Sequence, residues 1–193
     1  MAKALVVIAD GIEEMETVII TDILTRGGVE VTLASVAHQQ VVAARGLKLV
    51  ADVTLSDVQD SSFDMIVCPG GLPGAKNLRD SALLTRLLEK QNRQQQWIAA
   101  ICASPAFVLA HHGLLEGRRA TCYPGCEEML PEHVDEDVVV DGHIITSQGP
   151  GTAMGFALKL VEGLAGDITP EILQQRVKTV ASDIRQSKAV EKL

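Results

Sequence analysis

Residues 97 to 105 read Trp97-Ile98-Ala99-Ala100-Ile101-Cys102-Ala103-Ser104-Pro105. An apolar run of this length, with no polar alternation to mark a solvent side, suits a strand covered on both faces. Two small residues and a proline follow the cysteine, and proline suits the first position of a helix. The stretch therefore reads as a buried strand turning directly into a helix, with Cys102 at the joint. Two roles are open to that cysteine. It is either a small packing residue in apolar surroundings or the reactive atom of the chain.

The rest of the sequence repeats this strand-to-helix grammar. Residues 4–9 (Ala-Leu-Val-Val-Ile-Ala) form another continuous apolar run. Residues 13–26 show helical periodicity and stop at Gly27-Gly28, a helix-ending signal. A second strand is expected over 29–35, short β runs near 40–44 and 47–50, and an apolar strand at 65–68 ended by Pro69-Gly70-Gly71. From Ser81 onward Leu83, Leu84, Leu87 and Leu88 fall on one helical stripe. Residues 138–140 and 144–146 flank Asp141-Gly142, a dipeptide favoured in tight hairpin turns. Helices are expected over 152–164 and 169–184, the latter with Thr169 as N-cap and Pro170 in its first turn. No repeat, low-complexity tract or linker interrupts the series. Alternation of this kind predicts a parallel sheet with helices on both faces, and residues 1–193 read as one doubly wound α/β domain. Such sheets bind ligands beyond the carboxyl ends of their strands. Three apolar strands end in unusual chemistry here: Asp-Gly-Ile-Glu-Glu, Cys-Pro-Gly-Gly and Cys-Ala-Ser-Pro. Their sites should converge on one edge.

Composition narrows the classes. With 193 residues, 47% hydrophobic and 22% charged, the chain has ordinary globular usage and enough length for a sizeable core. No apolar run approaches the roughly 20 residues of a membrane helix. The start, Met-Ala-Lys-Ala-Leu-Val-Val-Ile-Ala-Asp-Gly, carries one lysine and leads into an acidic helix, so it reads as a strand and not as a signal peptide. A net charge of −8 argues against nucleic acid or anionic membrane as the main partner. The four cysteines (Cys68, Cys102, Cys122, Cys126) are too few for a disulfide framework in a chain this size, and free thiols suggest a reducing cytoplasm. Aromatic residues are 3%, so the core is aliphatic.

Around Cys102 a constellation can be assembled. A strand that runs straight into a helix puts the joining residue on a nucleophile elbow, where small neighbours such as Ala103 and Ser104 let the turn close. A thiol at a helix start feels free N–H groups and the positive end of the dipole, both of which favour the thiolate. Glu16 shares a helical stripe with Ile19, Ile20, Ile23 and Leu24, so it falls on the core face. A carboxyl there is costly unless paired, and burial should raise its pKa. An acid kept protonated beside a thiolate would explain it, and so would a structural hydrogen bond. Glu13 and Glu14 are sufficiently explained as first-turn acids. Gly70 and Gly71 let backbone N–H groups face a ligand and, with the Ala103 N–H, could form an oxyanion hole. Pro-Gly-Gly is equally a plain turn, and Gly149-Pro150-Gly151 has the same ambiguity. Cys122 and Cys126 with His111, His112 and His133 are poorly spaced for zinc, so no metal is expected. Cys68 reads as core, and no phosphate loop or dinucleotide fingerprint is present.

Four stretches together, Asp-Gly-Ile-Glu-Glu-Met-Glu-Thr-Val, Cys-Pro-Gly-Gly-Leu-Pro-Gly-Ala-Lys-Asn-Leu, Ala-Ala-Ile-Cys-Ala-Ser-Pro and Thr-Ser-Gln-Gly-Pro-Gly-Thr-Ala, carry a resemblance. The chain resembles the ThiJ/PfpI superfamily, in the branch of the parkinsonism-associated protein deglycase and bacterial YajL. The likeness runs from about residue 3 to residue 165. It implies a flavodoxin-like sandwich and a homodimer. It also implies Cys102 as an oxidisable nucleophile, Glu16 as the protonated acid bonded to its sulfur, and Gly70, Gly71 and Ala103 as backbone donors. Arg45 matches an arginine near the family's dimer interface that can approach the neighbouring site, and Arg26 matches another near it. Tyr123 stands where some members have a histidine, and Gln148 where some have an arginine. The peptidase-like members carry a histidine at the place of Ala103, which argues here against amide hydrolysis. Tyr123, Gly149, Pro150, Arg26 and Arg45 are the expected pocket residues.

The function this implies is conversion of small reactive dicarbonyls, or removal of their glycated adducts, through a hemithioacetal on Cys102, with no cofactor and no glutathione. Nucleic acid enters only as a candidate glycated substrate. The alternative is a redox-sensing chaperone whose Cys102 is oxidised to sulfinate without turnover.

Overall fold

The computed structural model describes residues 1–164, so the helix expected over 169–184 lies outside the described residues. The first apolar run forms β1 (Lys3–Ile8), followed by α1 (Glu14–Arg26) and β2 (Glu30–Ser35). A small antiparallel hairpin, β3 (Gln40–Val42) with β4 (Lys48–Val50), precedes β5 (Val53–Thr54) and β6 (Met65–Cys68). Then come α2 (Leu72–Arg79), α3 (Ala82–Arg93) and β7 (Trp97–Ile101). A helical segment at Pro105–Ala110 leads to the short parallel pair β8 (Arg119–Ala120) and β9 (Glu132–His133). The described chain closes with β10 (Val138–Asp141), β11 (Ile144–Ser147) and α4 (Ala153–Leu164).

Seven strands make one sheet in the order β10-β11-β7-β6-β1-β2-β5. All neighbours run parallel except β10, which returns antiparallel on β11. The inner order β2-β1-β6-β7-β11 is that of flavodoxin-like sheets, in which the winding reverses between β1 and its β6 neighbour.

Alternation along each strand sends neighbouring residues to opposite faces. Ala4, Val6, Met65, Val67, Ala99 and Ile101 meet Ile20, Ile23 and Leu24 of α1 and Phe156, Leu160 and Val161 of α4. Leu5, Val7, Ile66, Cys68, Ile98 and Ala100 meet Leu78 of α2, Leu84 and Leu88 of α3, and Leu109. Both faces are covered, which is why the strands show no polar alternation. The two helices of the first layer approach closely at Gly27, where a Cβ would sit 2.6 Å from Val161 Cγ1.

Three local expectations change. The helix α2 was not legible, because Pro73 and Gly74 punctuate its sequence. Proline is tolerated in a first turn, and Gly74 passes so close to the β1–α1 loop that a Cβ would lie 2.6 Å from Ile12 Cα. The hairpin turn moves by one residue: Asp141 pairs with Ile144, leaving Gly142-His143 as the loop with Gly142 at φ +60°. Asp141 is held in the strand by accepting the Arg119 N–H at 2.9 Å. The segment after Cys102 is wider than an α-helix, with His111 and Leu114 N–H groups reaching carbonyls five residues back on Ala106 and Leu109.

Candidate active site around Cys102

Because β1, β6 and β7 are adjacent and parallel, their carboxyl ends bring the loops at 10–13, 69–71 and 102–104 to one edge. Cys102 has φ +65°, a left-handed conformation that strains a residue with a side chain. The surroundings hold it there. Its N–H donates to the Ser147 carbonyl at 3.0 Å, and its own carbonyl accepts the Tyr123 N–H at 2.7 Å. The Ser104 hydroxyl donates to the Pro69 carbonyl at 2.6 Å, tying the elbow to the end of β6. Cys102 is left 7% exposed.

Gly70 lies between the two candidate groups. A Cβ there would be 2.4 Å from Cys102 Cβ and 2.9 Å from both the Cys102 sulfur and Glu16 Oε2. Its N–H donates to Glu16 Oε2 at 2.6 Å, and its carbonyl accepts the Glu13 N–H at 2.9 Å. The β6 loop and the first turn of α1 are thus stitched in both directions. Gly70 therefore drops out of the expected set of free backbone donors: its N–H is already given to Glu16. Gly71 and Ala103 remain, and their N–H groups favour the charged form of the Cys102 sulfur. Gly71 has φ +84°, and a Cβ there would meet the Gly11 carbonyl oxygen at 2.5 Å.

The stripe that put Glu16 on the core face has buried it completely. Burial pushes its carboxyl up to about 7; the Gly70 N–H steadies the charged form, and the Cys102 side chain adds a hydrogen bond. Oε1 is buried with no hydrogen-bond partner among the described residues. Burial also pushes the Cys102 thiol up to about 12, the charge of Glu16 acts in the same direction, and the Gly71 and Ala103 N–H groups oppose them. The expected depression of the thiol by a helix start is corrected: loss of water and the Glu16 charge outweigh the backbone N–H groups of Gly71 and Ala103. With both groups packed against Gly70, the pair holds one negative charge readily and a second at high cost. A thiolate at Cys102 therefore requires the proton to sit on Glu16. In that state the sulfur faces an acid and two backbone N–H groups.

Above the pair opens a pocket of about 510 Å³. Arg45, Tyr123, Pro150, Gly71 and Ala103 line it, as does Cys102 itself. The Arg45 backbone is anchored by its N–H donating to both Glu14 carboxylate oxygens, at 2.9 and 3.1 Å. Gly149 stands behind Tyr123, whose ring lies 3.4 Å from where a Cβ would be. Arg26 is not brought to the pocket. It ends α1, ten residues and roughly 15 Å beyond Glu16, with its Nε on Asp22 at 2.6 Å. Among the wall residues outside the expected set, Glu13 and Cys126 are the two with titratable side chains. Glu13 is sufficiently accounted for by the helix dipole and Cys126 by its place in a poorly spaced zinc set, so neither points to a pocket from sequence alone. The turn-forming Tyr123-Pro124-Gly125-Cys126 was the signal available. Among the described residues no group of three or more potential ligands could hold a metal ion.

The sequence profile of the DJ-1/PfpI family matches residues 2–163. Protein DJ-1 homolog B of Arabidopsis thaliana is 47% identical over 168 residues, covering 85% of this chain and 38% of that protein, so the chain spans well under half of that relative. Glutathione-independent glyoxalase DJR-1.2 of Caenorhabditis elegans is 40% identical over 158 residues, covering 80% of this chain and 83% of that protein. Among solved structures, oxidized Toxoplasma gondii DJ-1 superposes with a TM-score of 0.89 at 42% identity, covering 94% of this chain and 98% of that one.

Proposed function

Because the chain belongs to the DJ-1/PfpI family, we propose that it is a cysteine-dependent enzyme converting small reactive dicarbonyls, such as methylglyoxal and glyoxal, into hydroxy acids without glutathione. Removal of their early adducts from glycated molecules is the deglycase form of the same chemistry. The observation that carries this reading is the pairing of a strained Cys102 with a buried, proton-holding Glu16 beneath a pocket of about 510 Å³. A relative named as a glutathione-independent glyoxalase supports it.

The Cys102 sulfur attacks the aldehyde carbon, and the resulting hemithioacetal oxygen is met by the Gly71 and Ala103 N–H groups. Glu16 gives its proton to that oxygen, and its carboxylate then takes the proton from the same carbon. It returns that proton to the adjacent carbon while the hydroxyl proton passes to the former ketone oxygen, leaving a thioester. Water cleaves the thioester, so methylglyoxal plus water becomes lactate and the thiol is restored. An acid poised near 7 suits both directions of proton transfer at neutral pH. The reading takes residues 1–193 as one unit, paired as a homodimer in the cytoplasm, with Arg45 at the pocket wall. Purified protein should form lactate from methylglyoxal, and Cys102→Ser should abolish this. Equal rates for the two proteins would refute the proposal.

A second role for Cys102, as a peroxide sensor controlling a chaperone, is favoured by the partnerless Oε1 of Glu16. A sulfinate at Cys102 would place acceptor oxygens beside that acid. The similar Toxoplasma gondii protein is described as oxidized.

A further inference from the structure

Cys126 is a half-buried thiol on the wall of the pocket that holds Cys102, and the chemistry proposed above makes no use of it. Two hydrogen bonds set its place. The Tyr123 N–H sits on the Cys102 carbonyl at 2.7 Å, and the Cys126 N–H sits on the Tyr123 carbonyl at 3.0 Å. One bonded backbone contact plus one four-residue turn leaves at most about 12 Å between the two Cα atoms. A disulfide needs roughly 4.4–6.8 Å. The turn itself is the part able to close that gap. Tyr123, Pro124 and Gly125 are exposed, and Gly125 has φ +96° with nothing within 4 Å of where a Cβ would be. The other thiols are placed differently: Cys68 is fully buried in the sheet, and Cys122, 2% exposed, is not on the pocket wall.

We propose that Cys126 is a resolving thiol for Cys102, closing an intramolecular disulfide on the sulfenic acid that a hydroperoxide forms there. This rests on the reactivity of Cys102 in the reading above. In the first step the Cys102 thiolate attacks the terminal oxygen of the hydroperoxide. A sulfur–oxygen bond forms, the oxygen–oxygen bond breaks, and the alcohol or water leaves. The Cys126 sulfur then attacks the Cys102 sulfur. The sulfur–sulfur bond forms, the sulfur–oxygen bond breaks, and hydroxide departs as water with the Cys126 proton. Cys102 is thereby diverted from sulfinate, and a dithiol reductant restores both thiols. The disulfide is a modification that closes the pocket to substrate.

Limited hydrogen peroxide followed by intact-mass analysis and non-reducing peptide mapping tests this on wild type, Cys126→Ser and Cys122→Ser. Wild type and Cys122→Ser should lose two hydrogens and yield a peptide joining Cys102 to Cys126. Cys126→Ser should instead gain two oxygens at Cys102, at about tenfold lower peroxide than wild type needs for that product, given the advantage of an intramolecular thiol. Sulfinate at Cys102 in wild type at the same dose as in Cys126→Ser, with no joined peptide, would overturn the resolving role alone. A disulfide between Cys122 and Cys126 would overturn it as well. Absence of any oxidation at Cys102 in all three proteins would overturn it together with the reactive-thiol reading.

Discussion

Glu16 is the residue at which sequence and environment meet most directly. Its position on an apolar stripe was readable from spacings alone, whereas its partner was not, because Gly70 lies 54 residues away. The raised pKa has a consequence for stability. The folded protein holds the Glu16 proton up to about 7, against 4.5 for the ordinary carboxyl. Between those values the folded state binds more protons than the unfolded chain, so stability falls as pH rises. The contribution is whole below pH 4.5 and gone above about 7. At 1.36 kcal/mol per pKa unit the difference amounts to about 3 kcal/mol. Glu16→Gln keeps an acceptor for the Gly70 N–H but does not titrate. Relative to wild type it should gain about 3 kcal/mol between pH 4.5 and 8, measured by urea unfolding, while losing lactate formation. A difference between the two proteins that does not change with pH would contradict the assignment.

Among the elements, the loop after β6 is the tightest joint. Gly70 has no room for a methyl group, since its Cβ would sit 2.4 Å from Cys102 Cβ. Gly70→Ala should therefore push the β6 loop and the elbow apart. Overpacking of this kind costs about 2 kcal/mol, and lactate formation should fall at least tenfold, since a displacement near 1 Å is enough to cost more. Unfolding midpoints and turnover on the same preparation check both. Wild-type activity in this variant would mean that the approach of the two loops is immaterial. Strand and helix positions were legible at this scale because apolar runs and stripes are local patterns. The helix α2 and the wide turn at Pro105–Ala110 were not. The former is written in breakers that only a close backbone approach to Ile12 explains, and the latter differs from an α-helix by hydrogen-bond partner alone.

Across the whole molecule, stability rests on a sheet buried on both sides. Leu5, at the middle of β1, is fully buried against the layer of α2 and α3. Leu5→Ala should cost about 3 kcal/mol through lost burial and an unfilled cavity. The melting temperature should fall by roughly 6–12 °C for a chain of this size. A change below about 0.5 kcal/mol would show that this layer is not the packed core. The sequence by itself determined the doubly wound class, the stripe carrying Glu16 and the elbow at Cys102, because each depends on the periodicity or the turn chemistry of a few consecutive residues. Only the tertiary structure decided that Gly70 bonds Glu16 instead of facing a ligand, that Arg26 is not on the pocket wall, and that burial raises the Cys102 thiol. It also decided that Cys126 shares the pocket. Each of these depends on distances between segments remote in sequence and on the water excluded between them, and no local pattern encodes either.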